Sequence, residues 1–344
     1  MTDILTIRRP DDWHVHLRDG SMLEAVAGYT ARQFARAIVM PNLAPPVTTT
    51  AAARAYRERI MAALPEDSDF TPLMTAYLTD TIDADDLAAG HAEGVFTAAK
   101  LYPAGATTNS DSGVTDVANI YGVIERMEAI DMPLLIHGEV TDSEIDIFDR
   151  EAVFIERILE PLTRKFPALR IVFEHITTAN AVAFVKDTGP NIAATITPHH
   201  CVINRNAMFT GGIRPHAYCL PVAKREPHRL AVRAAAVSGS SKFFLGTDTA
   251  PHVRGDKESS CGCAGIFNAP FALESYAEVF AAEGALDQLE GFASEHGPRF
   301  YGLPLNEGTV TLRRAPTDVP DAIALEGAEI VPFQAGETLG WTLD

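Results

Sequence analysis

One alternation dominates the sequence and limits what it can fold into. Short apolar runs rich in β-branched residues recur between longer segments of helical period, a pattern that builds a parallel sheet from βαβ units. Eight runs occur, over residues 12–17, 37–41, 72–78, 97–102, 133–137, 170–175, 192–196 and 242–246. Between them, Ile120, Val123, Ile124 and Met127 form one helical stripe, and Ile155, Ile158, Leu159 and Leu162 another. Eight strands with intervening helices predict an α/β fold of the (β/α)8 TIM-barrel type. At 344 residues the chain is long for one domain, yet barrels routinely reach about 250 residues as a single unit. The expectation is one barrel domain over 1–344, with 302–344 as a C-terminal tail packed on it.

Charge and cysteine content remove several classes. The formal net charge is −18, which argues against nucleic acid and anionic membranes as partners, since both require a basic face. The same balance, taken globally, also disfavours a small anionic substrate. No stretch of 18 residues is apolar enough to span a bilayer. In segment 1–10, Ile4, Leu5 and Ile7 are too few for a signal-peptide core, so a cytoplasmic protein is expected. The four cysteines, Cys201, Cys219, Cys261 and Cys263, are too few for a disulfide framework. Cys261 and Cys263 flank a single glycine, a closer spacing than zinc knuckles use.

The chemistry lies at the ends of the runs. His14 and His16 alternate with Trp13 and Val15, which points both imidazoles to one face of a strand. Lys100 lies near the end of the fourth run, His137 and His175 end the fifth and sixth, and Asp248 follows the eighth in Gly246-Thr247-Asp248. Singly, each has a bland reading: an exposed histidine pair, a snorkelling lysine, a capping aspartate. A barrel gathers functional groups at the carboxyl ends of its strands, so together they form one mouth lined by metal-binding side chains. Packing alone does not explain that, because burying unpaired charge there is costly. The polar connection 103–113 has glycine at both ends and reads as a loop able to close over a site.

These residues lie in segments that resemble the amidohydrolase superfamily: HVHLRD at 14–19, AIVMPN at 37–42, FTAAKLYP at 96–103, LLIHGE at 134–139, FEHITT at 173–178 and GTDTAPH at 246–252. Within it, the run from Pro10 to Gly302, including PNLAPPVTT, ITPHH, GGIRPHAYCLP, KESSCGCAG and FNAPFALESYA, closely resembles the dihydroorotase family of the single-domain bacterial type. The resemblance implies two zinc ions. His14, His16 and Asp248 match ligands of the first; His137 and His175 match ligands of the second. Lys100 matches a lysine carboxylated by carbon dioxide, N6-carboxylysine, whose carbamate bridges both metals together with a hydroxide. An ammonium has no lone pair for zinc, so Lys100 must lose its proton first, as nearby cations favour.

The implied reaction is the reversible cyclisation of N-carbamoyl-L-aspartate to (S)-dihydroorotate plus water, in de novo pyrimidine biosynthesis, with Asp248 as general acid and base. Arg18, Asn42 and His252 match the clamp for the substrate carboxylate that does not react, and His16 and His137 also match substrate contacts. Leu220 and Ala264 match positions whose backbone holds the ring, which gives CGCAG a reason for its small residues and leaves its cysteines structural. Thr107 and Thr108 match a flexible loop that closes over substrate. His199 and His200 fall on no ligand position of the family and are left unassigned, as are His91, His216, His228 and His296. A homodimer is also implied. The competing expectations are another cyclic amidohydrolase (hydantoinase, dihydropyrimidinase or allantoinase) and a noncatalytic scaffold on the same fold. Two metals and Arg18 make the mouth locally positive, so the global charge does not exclude a small dicarboxylate.

Overall fold

The computed structural model describes residues 3–344; Met1 and Thr2, which begin the segment 1–10 and the domain 1–344 considered above, lie outside the described residues. A first strand, β1 (Ile4–Arg8), stands apart from the barrel. The barrel strands follow: β2 (Asp11–Val15), β3 (Arg36–Val39), β4 (Thr71–Tyr77), β5 (Phe96–Leu101), β6 (Leu134–Ile136), β7 (Ile171–Phe173), β8 (Ile192–Ile196) and β9 (Phe243–Leu245). They pair in parallel in chain order as one eight-stranded sheet. Every run read from the sequence overlaps one of these strands, although β6 and β7 stop one and two residues short of His137 and His175.

Alternation along each strand sorts side chains between two cores. Ala37, Val39, Ala99, Leu101, Leu134, Ile136, Ile171 and Phe173 belong to the large core shared with the outer helices. Ile38, Ala98, Leu135, Val172, Ala193 and Phe244 form a second cluster with Trp13 and Tyr301, as expected for the filled interior of such a barrel. Trp13 stacks on Tyr301, ring centres 4.3 Å apart, and plugs the amino-terminal end. The pairing of β2 with β3 shifts register between Asp12 and Val15. That irregularity lets Trp13 fill the interior while Val15 still packs outward.

The barrel closes at the seam between β2 and the chain leaving β9. Asp248 N donates to His14 O at 2.9 Å and His16 N donates to Thr249 O at 3.0 Å. Below them the buried Asp12 carboxylate accepts from Thr247 N at 2.8 Å, Thr247 Oγ1 at 2.5 Å and His14 N at 3.1 Å. The tail is more strand-like than expected: β10 (Thr309–Arg313) pairs antiparallel with β1 and with Thr342–Leu343. Leu312, Trp341 and Leu343 join the main core. Among the described residues, no helix is long and apolar enough to cross a membrane.

Replacing Asp12 strands two N–H groups and a hydroxyl at the seam. Asp12→Ala should cost about 3 kcal/mol of unfolding free energy, measured by urea denaturation; a cost below about 0.5 kcal/mol would show that the seam holds without this carboxylate.

Candidate active site

The carboxyl ends of the strands surround a pocket lined by His14, His16, Arg18, Asn42, Thr107, Thr108, His137, His175, Leu220, Asp248 and Ala264, with Tyr102, Cys219, Ala250 and Gly265 completing the wall. Strand alternation explains part of this gathering. On β5, Ala98 faces the interior, so Lys100 does too; Leu135 does the same for His137. On β7, however, Val172 directs Glu174 inward and would send His175 outward. The backbone corrects this at His175, which has φ +42°. Arg18 (φ +60°) and Asp248 (φ +47°) are also left-handed. Three non-glycine residues in this costly region, all at one pocket, mark backbone bent to aim side chains. Arg18 lies beyond the strand, which ends at Val15, so the left-handed turn and not strand alternation aims it.

Three ligand-type atoms converge at the floor. His14 Nε2 lies 3.2 Å from His16 Nε2 and 3.2 Å from Asp248 Oδ1, and His16 Nε2 lies 3.1 Å from the same oxygen. The tautomer of His16 follows from its neighbour. Asn42 Nδ2 donates to Thr108 O at 3.0 Å, so Asn42 Oδ1 faces His16 Nδ1, 2.9 Å away, as an acceptor. His16 therefore carries its proton on Nδ1 and turns the Nε2 lone pair to the convergence. Burial opposes charge on His14, yet Glu174 and Asp248 outweigh it and push its pKa up to about 9. The point between these atoms thus favours one positive charge. Burial pulls His16 down to about 4. For Asp248, burial opposes ionisation, but His14 and His16 hold its carboxyl well below the usual range.

A second group adjoins the first. The His175 ring centre is 4.9 Å from that of His14 and 5.0 Å from that of His137. His137 Nε2 donates to Glu139 at 2.9 Å, which leaves its Nδ1 lone pair free, and the buried Nδ1 of His175 has no hydrogen-bond partner among the described residues. Lys100, wholly buried, donates to Glu174; burial lowers its pKa, against the pull of that carboxylate. Glu174 also lies 3.0 Å from His14 Nδ1. The sequence reading missed Glu174, although alternation from Val172 pointed to it. It missed Tyr102, Cys219 and Glu139 as well, since nothing local distinguished them.

Arg18 makes no ion pair among the described residues. Asp19, its sequence neighbour, is taken by Arg59 at 2.8 Å. The Arg18 guanidinium donates to Pro251 O at 3.2 Å and lies 3.0 Å from His252 Nε2. That nitrogen is also 3.1 Å from Ala264 O, and burial and Arg18 push His252 down to about 3. The arrangement is a cationic fork at the pocket backed by a neutral imidazole, with the Asn42 amide lining the same pocket. The loop 103–113 lies across it: Thr108 Oγ1 donates to Ala264 O at 3.3 Å, and Asn109 Nδ2 to Asn42 O at 3.1 Å.

His199 and His200 sit in a short helix, Pro198–Val202, rather than on a strand. With Cys219 they bring three ligand-type atoms close together, but their lone pairs are used. Asn268 Nδ2 donates to His199 Nδ1 at 3.1 Å and to Thr247 O at 2.7 Å. His200 Nε2 donates to Pro221 O at 3.0 Å while its Nδ1 accepts from Thr197 at 2.8 Å. His91, His216 and His228 likewise have structural partners in Phe96 O, Glu258 and Ala179 N, as does His296 in Phe243 O. Cys261 is exposed and Cys263 half-buried, both as free thiols, with their Sγ atoms 3.9 Å apart.

This closed parallel barrel, with its histidine, aspartate and lysine groups at the carboxyl ends, agrees with the family comparison: the chain belongs to the amidohydrolase family, whose model matches residues 11–316. Within that family it falls among the dihydroorotases. A dihydroorotase of Sphingopyxis alaskensis is 75% identical, with both chains covered in full. The crystal structure of dihydroorotase from Campylobacter jejuni superposes with a TM-score of 0.91 at 37% identity, covering 100% of this chain and 98% of that one. Dihydroorotase from Saccharomyces cerevisiae in complex with 5-fluoroorotic acid gives a TM-score of 0.92 at 31% identity, covering 100% and 99%.

Asn42 joins the loop to the histidine floor, so Asn42→Ala should release the loop. Amides of residues 105–110 are expected to exchange about tenfold faster with deuterium while the barrel strands stay unchanged; unaltered exchange would contradict that link.

Proposed function

We propose that the protein is a dinuclear zinc dihydroorotase that interconverts N-carbamoyl-L-aspartate and (S)-dihydroorotate plus water, acting in the cytoplasm as a homodimer in pyrimidine biosynthesis. The observation that carries the reading is the meeting of His14 Nε2, His16 Nε2 and Asp248 Oδ1 within 3.2 Å of one another, in a pocket whose arginine has no ion-pair partner among the described residues. The donor set suits zinc: imidazole nitrogens, with the outer ring nitrogens of His16 and His137 held by Asn42 and Glu139, and carboxylate oxygen. His14, His16 and Asp248 would hold one ion, and His137 and His175 the other. Lys100 would bridge them once its neutral amine has added to carbon dioxide, the amine proton leaving and Glu174 releasing its hold. Bound zinc would supply Lewis acidity, polarising a carbonyl and bringing the pKa of water from about 15.7 to about 7.

The chain's own groups do the rest. Asp248, ionised at neutral pH, stands at the pocket floor, where it can take the proton of the attacking water and return it to the departing ring nitrogen. In the biosynthetic direction it takes the proton from the carbamoyl nitrogen. Arg18 and His252, with Asn42, receive the carboxylate that does not react, the guanidinium matching its two oxygens. The backbones of Leu220 and Ala264 take the ring amide, and Thr107 and Thr108 close the pocket over it.

Turnover of dihydroorotate, N-carbamoyl-L-aspartate, hydantoin, dihydrouracil and allantoin tests the assignment. Activity should be confined to the first two; good turnover of the neutral rings with none of the acids would defeat it. Asp248→Asn should keep zinc and lose at least about 10³-fold in kcat, and Lys100→Ala should lose zinc from the bridged pair.

Proton competition gives a second test. In the metal-stripped protein, His14 holds its proton up to about pH 9 and must release it to bind metal, so zinc affinity should rise with pH up to that point and fall as pH drops. Chelator competition at several pH values measures this; equal affinity at pH values near 6.5 and 9 would contradict the role of His14.

A further inference from the structure

One buried cation takes no part in the chemistry above. Lys257 ends the helical turn Arg254–Lys257 and is 3% exposed. Among the described residues its ammonium has no carboxylate partner. It donates instead to three carbonyls: Tyr218 O at 2.8 Å, Cys263 O at 2.9 Å and Gly265 O at 2.6 Å. A tetrahedral ammonium has three donors, and this site uses all of them, in a geometry that a planar guanidinium cannot copy. Burying a cation against neutral groups alone is costly, so simple packing does not account for it.

The three carbonyls come from two loops that contribute backbone to the pocket. Leu220, Ala264 and Gly265 all line it. Cys263 and Gly265 are two residues apart, and both carbonyls turn toward Lys257. The carbonyl between them, on Ala264, turns the other way, to His252 Nε2 at 3.1 Å and Thr108 Oγ1 at 3.3 Å. Gly265 permits this close course: its φ is +155°, and a Cβ there would lie 2.6 Å from Ala250 O and 2.9 Å from His252 Cδ2. Gly265 N donates to Tyr218 O at 3.1 Å, so the two loops meet at one carbonyl that the ammonium also holds.

We propose that Lys257 is a positioning residue for substrate binding: its ammonium ties the loop 258–265 to the loop 215–221 and so aims the backbones of Ala264 and Leu220 at the amide edge of the cyclic substrate. The proposal rests on the reading that these two backbones hold the ring. It assigns Lys257 to ground-state binding, away from metal and from proton transfer.

Steady-state kinetics on the zinc-loaded, full-length enzyme with dihydroorotate test it in wild type, Lys257→Gln and Lys257→Met. Gln keeps two donors and Met none, at similar length. The KM should rise in that order, reaching roughly tenfold or more in Lys257→Met, while kcat stays within about threefold and zinc content is unchanged. Deuterium exchange over 258–266 should quicken in Lys257→Met without change in the barrel strands. An unchanged KM, or a fall in kcat at constant KM, overturns the proposal. Loss of zinc or of cooperative unfolding in Lys257→Met also overturns it, because the lysine would then support the fold as a whole. Wild-type turnover separates the two claims: an active wild type with indifferent variants defeats only the role of Lys257, whereas a wild type inactive on dihydroorotate defeats the functional reading and this proposal with it.

Discussion

The seam that closes the barrel is the constraint on which the site depends. His14 and Asp248 are separated by more than 200 residues of chain, yet the bond from Asp248 N to His14 O brings their backbones together directly. Asp12 locks the same junction from below through Thr247. Without closure, the histidines of β2 and the aspartate after β9 would occupy opposite edges of an open sheet. With it, nitrogen and oxygen ligand atoms stand about 3 Å apart, a separation at which their lone pairs repel unless a proton or a metal lies among them. The fold's closure and the site's demand for positive charge are therefore one feature.

Three cations around this centre, Lys100 and Lys257 buried and Arg18 partly so, are balanced in three ways. Lys100 is held by the Glu174 carboxylate. Lys257 is held by neutral carbonyls. Arg18 is left with a carbonyl and an imidazole, while the adjacent acid, Asp19, is taken by Arg59 on the surface. The pocket therefore presents a guanidinium that is ion-paired to no carboxylate among the described residues. A chain of net charge −18 can attract a dicarboxylate because charge is arranged locally, and the low dielectric of the pocket strengthens what is arranged.

Much of this was legible in the sequence. The eight runs located the strands because apolar alternation and strand length are local properties. Lys100 and His137 could be placed inward by counting from Ala98 and Leu135. His175 and Arg18 could not, because a left-handed residue breaks the count and no residue type announces it. The same count pointed to Glu174, but nothing in its residue type sets an acid beside a candidate histidine apart from an ordinary strand-end acid. The tail was read only as a segment packed on the barrel, because its pairing with β1 depends on contacts some 300 residues apart. Lys257 stood in plain view in KESSCGCAG, yet its three acceptors are backbone atoms, which sequence does not distinguish.

X-ray absorption at the zinc edge of the purified enzyme tests the central claim most directly, because it reads which atoms the metal touches. The account predicts two zinc ions per chain surrounded by nitrogen and oxygen at about 2.0–2.1 Å, with imidazole scattering and no sulfur. Sulfur at about 2.3 Å would contradict it, by moving the metal to Cys219 with His199 and His200, or to the Cys261 and Cys263 pair, and away from the seam.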